Sequence, residues 1–347
     1  MSQDQFLAVP SERRWQITML DYARWFRGVS ALLLGTSVLS TTTLVSGCAE
    51  AAEVAQQQST AFNSDRAMGY LKKICDLGPR PSGSEAMRRM QALVTEHCEK
   101  LGASVERQTF ATRHPQDGSA VSMTNLIIRW HPEVKDRILL CSHYDTRPFP
   151  DRDRVRPRGV FIGANDGGSG VALCMEMAHA FSREQFVVGV DFVLFDGEEF
   201  LFDENRDRDL YFLGSTHFAQ QVAAGTMPGI YRKGALVDMI ADKNLDLYYE
   251  ANSLRYAGEV CEEIWEVARR LKVKEFLPRQ RHDVRDDHLP LNTIAKIPTV
   301  DLIDFDYPKP GSRDSYWHTE ADLPKHCSGQ SICKVADVLL EWIRIQK

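Results

Sequence analysis

The chain predicts an α/β fold of three layers, a central mixed and mostly parallel twisted sheet with helices on both faces. Three observations predict it. Short apolar runs of β-branched and aromatic residues stop abruptly at polar residues, as buried strands do on reaching the end of a sheet. Segments with apolar residues at helical spacing lie between them. The 347 residues, 43% hydrophobic and 26% charged, are enough for one large α/β domain. The formal net charge is −6, with no basic stripe or block of the kind a nucleic-acid partner requires.

The N-terminus stands apart. Residues 1–27 are polar and mixed in charge, residues 28–47 carry no charge, and Cys48 follows. A charged lead, an apolar stretch and small residues before a cut are the parts of a secretory signal. Val45-Ser46-Gly47-Cys48 also resembles a bacterial lipobox, in which the cysteine is lipidated after cleavage. Residues 1–47 are therefore read as a signal or anchor segment and 48–62 as a linker. Residues 63–347 are read as a single domain. The expectation is an exported protein, periplasmic or held at the membrane by this segment or by lipidated Cys48. Beyond Cys48 the cysteines are Cys75, Cys98, Cys141, Cys174, Cys261, Cys327 and Cys333. An odd number without a CxxC pair is neither a disulfide framework nor a cysteine zinc site, although one disulfide stays open.

In the domain, Asp65 to Leu77 has helical spacing. Gly78 to Gly83 is a Pro/Gly turn, and Ser84 is positioned to cap a helix running to about Leu101. Met87, Met90, Leu93, Val94, Cys98 and Leu101 form its apolar stripe. Val105 to Thr112 and Met123 to Trp130 read as strands. The run from Arg137 ends in Ser142-His143-Tyr144-Asp145, and the two-residue spacing of His143 and Asp145 suggests a carboxylate orienting an imidazole. Residues 148–159 form a charged loop. Gly163 to Gly170 follows as a tight turn around Asp166, and it leads into a helix. It lacks the spacing and the Lys-Ser/Thr ending of a phosphate loop.

Val190 to Phe195 is the most apolar strand, and it ends in Asp196-Gly197-Glu198-Glu199. Two adjacent carboxylates at a buried strand end repel each other unless a positive charge, most simply a metal ion, lies between them. One can then bind the ion while the other handles protons. A charged loop covers Phe200 to Asp209, and Leu213 to Ala223 is a helix. Asp238 lies at the centre of the strand Leu236–Ile240, a costly place for an unpaired carboxylate. A helix runs from about Glu259 to Leu271. Asp286-Asp287-His288-Leu289-Pro290, read alone, is a solvated loop. Ile297 to Ile303 is a strand and Gln330 to Ile345 an amphipathic C-terminal helix.

His143, Asp166, Glu199, Asp238 and His318 each sit near a strand end or in a turn or loop, and the carboxyl ends of strands in an α/β sheet open onto one crevice. Two imidazoles and three carboxylates, with no thiolate, form a nitrogen and oxygen set suited to zinc.

Five segments carry a resemblance to the M28 zinc-peptidase superfamily: SHYD (142–145), GANDGGSG (163–170), DGEE (196–199), LVDM (236–239) and WHT (317–319). FDGEEF (195–200), DLYFLGS (209–215), DDHLP (286–290) and Trp317 before His318 make it similar, within that superfamily, to the glutaminyl cyclases. The resemblance runs from about Asp65 to the C-terminus and implies a zinc-exopeptidase-like fold. It implies zinc held by Asp166, Glu199 and His318, with one ion favoured over two. It makes Glu198 the proton shuttle and gives Asp238, Asp286 and Trp317 supporting catalytic roles. The activity it implies is acyl transfer: cyclisation of an N-terminal glutamine of a peptide or protein to pyroglutamate with release of ammonia. The alternative is an M28-type zinc aminopeptidase, in which His143 and Asp238 complete a second metal site. The resemblance pairs neither Cys141 nor Cys174 in the manner of the animal cyclases.

Overall fold

The computed structural model describes residues 62–203, 210–312 and 315–347. The expected signal segment, the linker up to residue 61 with Cys48, and the end of the loop at 204–209 lie outside the described residues. In sequence order the elements are α1 (Ser64–Cys75), α2 (Glu85–Lys100), β1 (Ser104–Arg113), β2 (Ala120–Trp130), β3 (Asp136–His143), α3 (Gly168–Phe181), β4 (Gly189–Phe195) and α4 (Leu213–Ala223). They continue with β5 (Ile230–Asp238), β6 (Leu247–Tyr249), α5 (Ala251–Leu271), β7 (Phe276–Gln280), α6 (His288–Thr293), β8 (Thr299–Ile303) and α7 (Gly329–Arg344).

Six strands pair in the order β1-β2-β4-β3-β5-β8. The β1–β2 and β2–β4 pairings are antiparallel, and those joining β4, β3, β5 and β8 are parallel. The sheet is thus mixed and mostly parallel. Every residue of β4 is buried, and its side chains alternate between two cores. Val190, Phe192 and Leu194 enter the larger core, shared with α1, α2, α3, α5 and α7. Val193 and Phe195 enter a smaller one with Phe218 of α4 and Leu291 of α6. Helices cover both faces because each face presents its own apolar set.

The helix ends follow local chemistry. The Ser84 hydroxyl accepts the Met87 N–H at 3.1 Å, so α2 starts where the capping residue predicts. α5 starts eight residues before the expected Glu259. Its cap is Glu250, whose carboxylate accepts the N–H groups of Asn252 and Ser253, and its first turns carry no apolar stripe. The helix is also interrupted at Ala257, where φ is −140° and ψ 36°, and the stripe that sequence reading can detect begins only after this break. Asp238 is the last residue of β5, not the middle of its strand, and Met239 turns away with φ of 49°. The seven described cysteines are buried and unpaired with one another. No described helix is long and apolar enough to cross a membrane.

One ion pair anchors the N-terminal edge of the parallel strands. Asp191 of β4 and Arg137 of β3 are both buried. The guanidinium donates to Asp191 Oδ1 from Nε (2.9 Å) and Nη2 (2.5 Å), and to the carbonyls of Trp130, His131, Val134 and Val190. Tyr231 donates to the other Asp191 oxygen at 2.6 Å. Gly189 and Gly229 make room for the arginine, since a methyl at either would lie 2.1 Å from it. Arg137→Met leaves Asp191 buried with only Arg129, at 3.5 Å, as a cationic neighbour among the described residues. The expected loss is about 3 kcal/mol, the lower end for breaking a buried pair, read as a shift in the urea unfolding midpoint. An unchanged midpoint would mean that the pair contributes nothing net.

Candidate metal centre and active site

The carboxyl ends of β3, β4 and β5 and three loops bring the acidic and imidazole side chains together. β4 pairs in parallel with β3, and His143 is level with Phe195 at the last register position. Past Phe195 the backbone turns at Gly197 (φ 76°), presenting Glu198 and Glu199 side by side. Asp145 fixes that turn: its carboxylate oxygens accept the N–H of Glu198 at 3.2 Å and of Glu199 at 3.1 Å. It also stands behind the imidazole, as its spacing suggests: Asp145 lies beyond the end of β3 with its Oδ1 3.6 Å from His143 Nδ1, the distance of an ion pair and not of a hydrogen bond. Asp196 caps the same turn from below, accepting from Ser82 Oγ at 2.6 Å and Thr124 N at 2.9 Å.

Asp166 is held by a residue that no sequence pattern singles out. The carboxylate of Asp322 accepts the N–H of Asn165 at 2.9 Å and of Asp166 at 3.0 Å, and Tyr307 donates to it at 3.0 Å. Gly167, with φ of 77°, packs directly against His143, and a Cβ there would lie 2.9 Å from the imidazole Cε1. His318 also has a left-handed backbone, with φ of 55°. Such a conformation in a histidine persists only where its surroundings fix it, a recurrent feature of functional sites.

Around Asp166 two donor sets meet. His318 Nε2 lies 2.7 Å from Glu199 Oε1 and 3.4 Å from Asp166 Oδ2. His143 Nε2 lies 3.2 Å from both Asp166 Oδ1 and Asp238 Oδ1. Asp166, Glu199 and His318 can each offer a ligand atom to one ion, as can His143, Asp166 and Asp238. The residues suit a divalent cation. Asp166 Oδ2 and the Nδ1 atoms of His143 and His318 are buried without a hydrogen-bond partner, and the set is rich in carboxylates. A site of oxygens and imidazole nitrogens is one that zinc accepts.

The electrostatics separate the two adjacent glutamates. Burial works to raise Glu199, but Arg147 overcomes it and holds the carboxyl far below the usual range. The Arg147 Nε and backbone N–H reach Glu199 at 3.0 and 3.1 Å. Burial, then the Arg147 charge, lowers His318 to about 4, leaving a neutral imidazole suited to ligation. Against Glu198 the positive group is the His143 imidazole, and it does not prevail. Burial and then the Glu199 charge push its carboxyl well above the usual value. Arg147 adjoins the charged loop in sequence, and nothing in its pattern marks it as buried.

Glu198, Asp238, Asp286 and Trp317 line one cavity of about 380 Å³ that Asp166, Glu199 and His318 also reach. The Trp317 ring lies 4.0 Å from His318 and 4.9 Å from Phe305, centre to centre. The segment 286–290 is not a solvated loop. Asp286, Asp287 and His288 are buried, and His288 opens α6. Ser215 Oγ donates to Asp287 at 2.5 Å, and burial, followed by the Asp238 charge, raises Asp286 well above the usual value. Carboxylates in a polar run look solvated in sequence. Here β8 and α4 enclose them.

The model of peptidase family M28 matches residues 125–343. The crystal structure of Fimbriiglobus ruber glutaminyl cyclase is 42% identical, covers 82% of this protein and 96% of that one, and superposes with a TM-score of 0.77. A leucine aminopeptidase precursor from Bacteroides thetaiotaomicron is 29% identical, covering 82% and 98% of the two proteins, with a TM-score of 0.75. Among curated relatives, the glutaminyl-peptide cyclotransferase of Gloydius blomhoffii is 25% identical over 301 residues, 76% of each protein.

Proposed function

The chain belongs to peptidase family M28 and, within it, to the glutaminyl cyclases, and from that premise we propose that it is a glutaminyl-peptide cyclotransferase. It converts an N-terminal glutaminyl residue of a peptide or protein to pyroglutamate and releases ammonia. The observation that carries this reading is the 42% identity across nearly the whole of the F. ruber cyclase.

Asp166, Glu199 and His318 are the residues that would hold zinc, and the ion would polarise the γ-amide carbonyl of the substrate glutamine as a Lewis acid. Glu198 stands outside this set, although with His143 and Glu199 it forms a third group that could hold an ion, and it lines the cavity beside the set. Its carboxylate accepts a proton from the substrate α-amine as the nitrogen attacks the amide carbonyl carbon. The new C–N bond closes the five-membered ring, and the bond from that carbon to the amide nitrogen breaks. Glu198 returns the proton to the departing ammonia, so one residue serves as base and then as acid. Asp238 and Asp286 hold the amine in the cavity, while Trp317 and Phe305 wall it and exclude water.

A second reading, removal of N-terminal residues by hydrolysis, is favoured by one observation: His143 and Asp238 complete a second donor set on Asp166. Two assays separate the readings. Ammonia released from Gln-peptides with no cleavage of Leu- or Ala-aryl amides is the expected outcome, with zinc content per molecule measured on the same sample. Aryl-amide cleavage without ammonia release would replace the cyclase by the aminopeptidase.

A further inference from the structure

A second cavity opens beneath the turn that carries Glu198 and Glu199. Its volume is about 880 Å³, against about 380 Å³ for the cavity already described, and the two share no lining residue. Ser82 and Thr124, which hold Asp196 under that turn, belong to its wall.

The second cavity has the opposite charge. No carboxylate lines it, whereas the basic side chains of Arg88, Arg107 and His114 do. Two of these have acidic partners: Arg88 lies 2.6 Å from Glu85, and His114 lies 3.7 Å from Asp117. Arg107 has no ion-pair partner among the described residues, and its Nη2 donates to the neutral amide of Gln91. That amide is buried and is itself fixed, since its nitrogen donates to the Tyr144 hydroxyl at 2.9 Å. The contact holds the guanidinium in place without neutralising it and occupies one edge of its fork of donors. Met87, Phe149 and Phe200 give the same cavity an apolar wall, and Phe200 meets His114 edge-on at 5.8 Å between ring centres.

A guanidinium fork matches a planar carboxylate, and an apolar wall takes a hydrocarbon or aromatic body. A phosphate fits less well, because among the described residues its second charge meets no unpaired cation of this wall. We propose that this cavity is a binding site for small carboxylic acids with an apolar or aromatic body, separate from the site of the reaction.

The test uses the zinc-loaded protein and three probes of one shape: 3-(4-fluorophenyl)propionate, its amide, and 3-(4-fluorophenyl)propylamine, each titrated by fluorine NMR. The acid should bind with a dissociation constant on the order of 1 mM, the scale a ligand of this size reaches. The amide should bind about fivefold more weakly, the worth of one exposed charge pair, and the amine more weakly still. In R107S the acid and the amide should agree to within about twofold, and in R107E the acid and the amine should exchange order. Arg107 takes no part in the proposed reaction, so both variants should release ammonia from a Gln-peptide at the unaltered rate, which also shows that they fold. No saturable binding of the acid up to about 20 mM, or a preference for the acid over the amide that survives in R107S, would overturn the inference and leave the cyclase reading standing.

Discussion

Glu198→Gln should lower ammonia release from a Gln-peptide by about 10²- to 10⁴-fold, the usual contribution of a positioned acid–base group, with zinc content unchanged. The substitution keeps the size of the residue and two polar atoms but removes the proton acceptor. Retention of metal is expected because Glu199, not Glu198, makes the 2.7 Å approach to His318 and is fixed by Arg147. The turn should persist too, since Asp145 holds it through backbone N–H groups that the substitution leaves in place. A variant with full turnover would remove Glu198 from the mechanism. One that lost both zinc and turnover would make Glu198 a ligand.

Asp166→Asn is the second large effect expected, and it should act on both donor sets at once. Asp166 Oδ1 faces His143 and its Oδ2 faces His318, so it is the carboxylate shared by the set with His318 and the set with Asp238. An amide offers one neutral oxygen where two charged ones stood. Zinc affinity, measured by competition with a chelator, should fall by more than about 100-fold, beyond what loss of a supporting contact costs. The zinc-dependent gain in thermal stability should fall with it. Binding at 100 times the dissociation constant stabilises by about 2.7 kcal/mol, and the variant should show almost none of this at the same concentration. Native affinity in the variant would mean that the ion sits elsewhere.

These side chains are legible in the sequence to unequal degrees. Glu198 and Glu199 follow a strand whose apolar run is unmistakable, so their place at the rim of the sheet follows from pattern alone; Asp238 does not, because the apolar Met239 and Ile240 prolong the run past the true strand end. Asp166 shows through the glycines that let the backbone turn around it. Asp286 does not show by pattern, because a run of Asp and His gives no sign that β8 and α4 will enclose it; only likeness to a family marks it. Arg147 and Asp322 escape for the same reason. Each acts by reaching a neighbour far away in sequence: Arg147 reaches Glu199, and Asp322 reaches the backbone of Asn165 and Asp166. β6 escapes because three residues are too few to display a period, and β7 because its Pro-Arg-Gln end is exposed and shows no apolar run. α5 reads eight residues short because its apolar stripe begins after its first turns.

Gly167 sets a distance. With only hydrogen on its α-carbon, the loop bearing Asp166 rests against the ring of His143, and that contact keeps the two halves of the donor array in register. Even one methyl group at this point would wedge them apart, since the imidazole would have to slide off its place beside Asp166. The span between the metal-binding groups is therefore built into the backbone itself, with a hydrogen atom for its gauge.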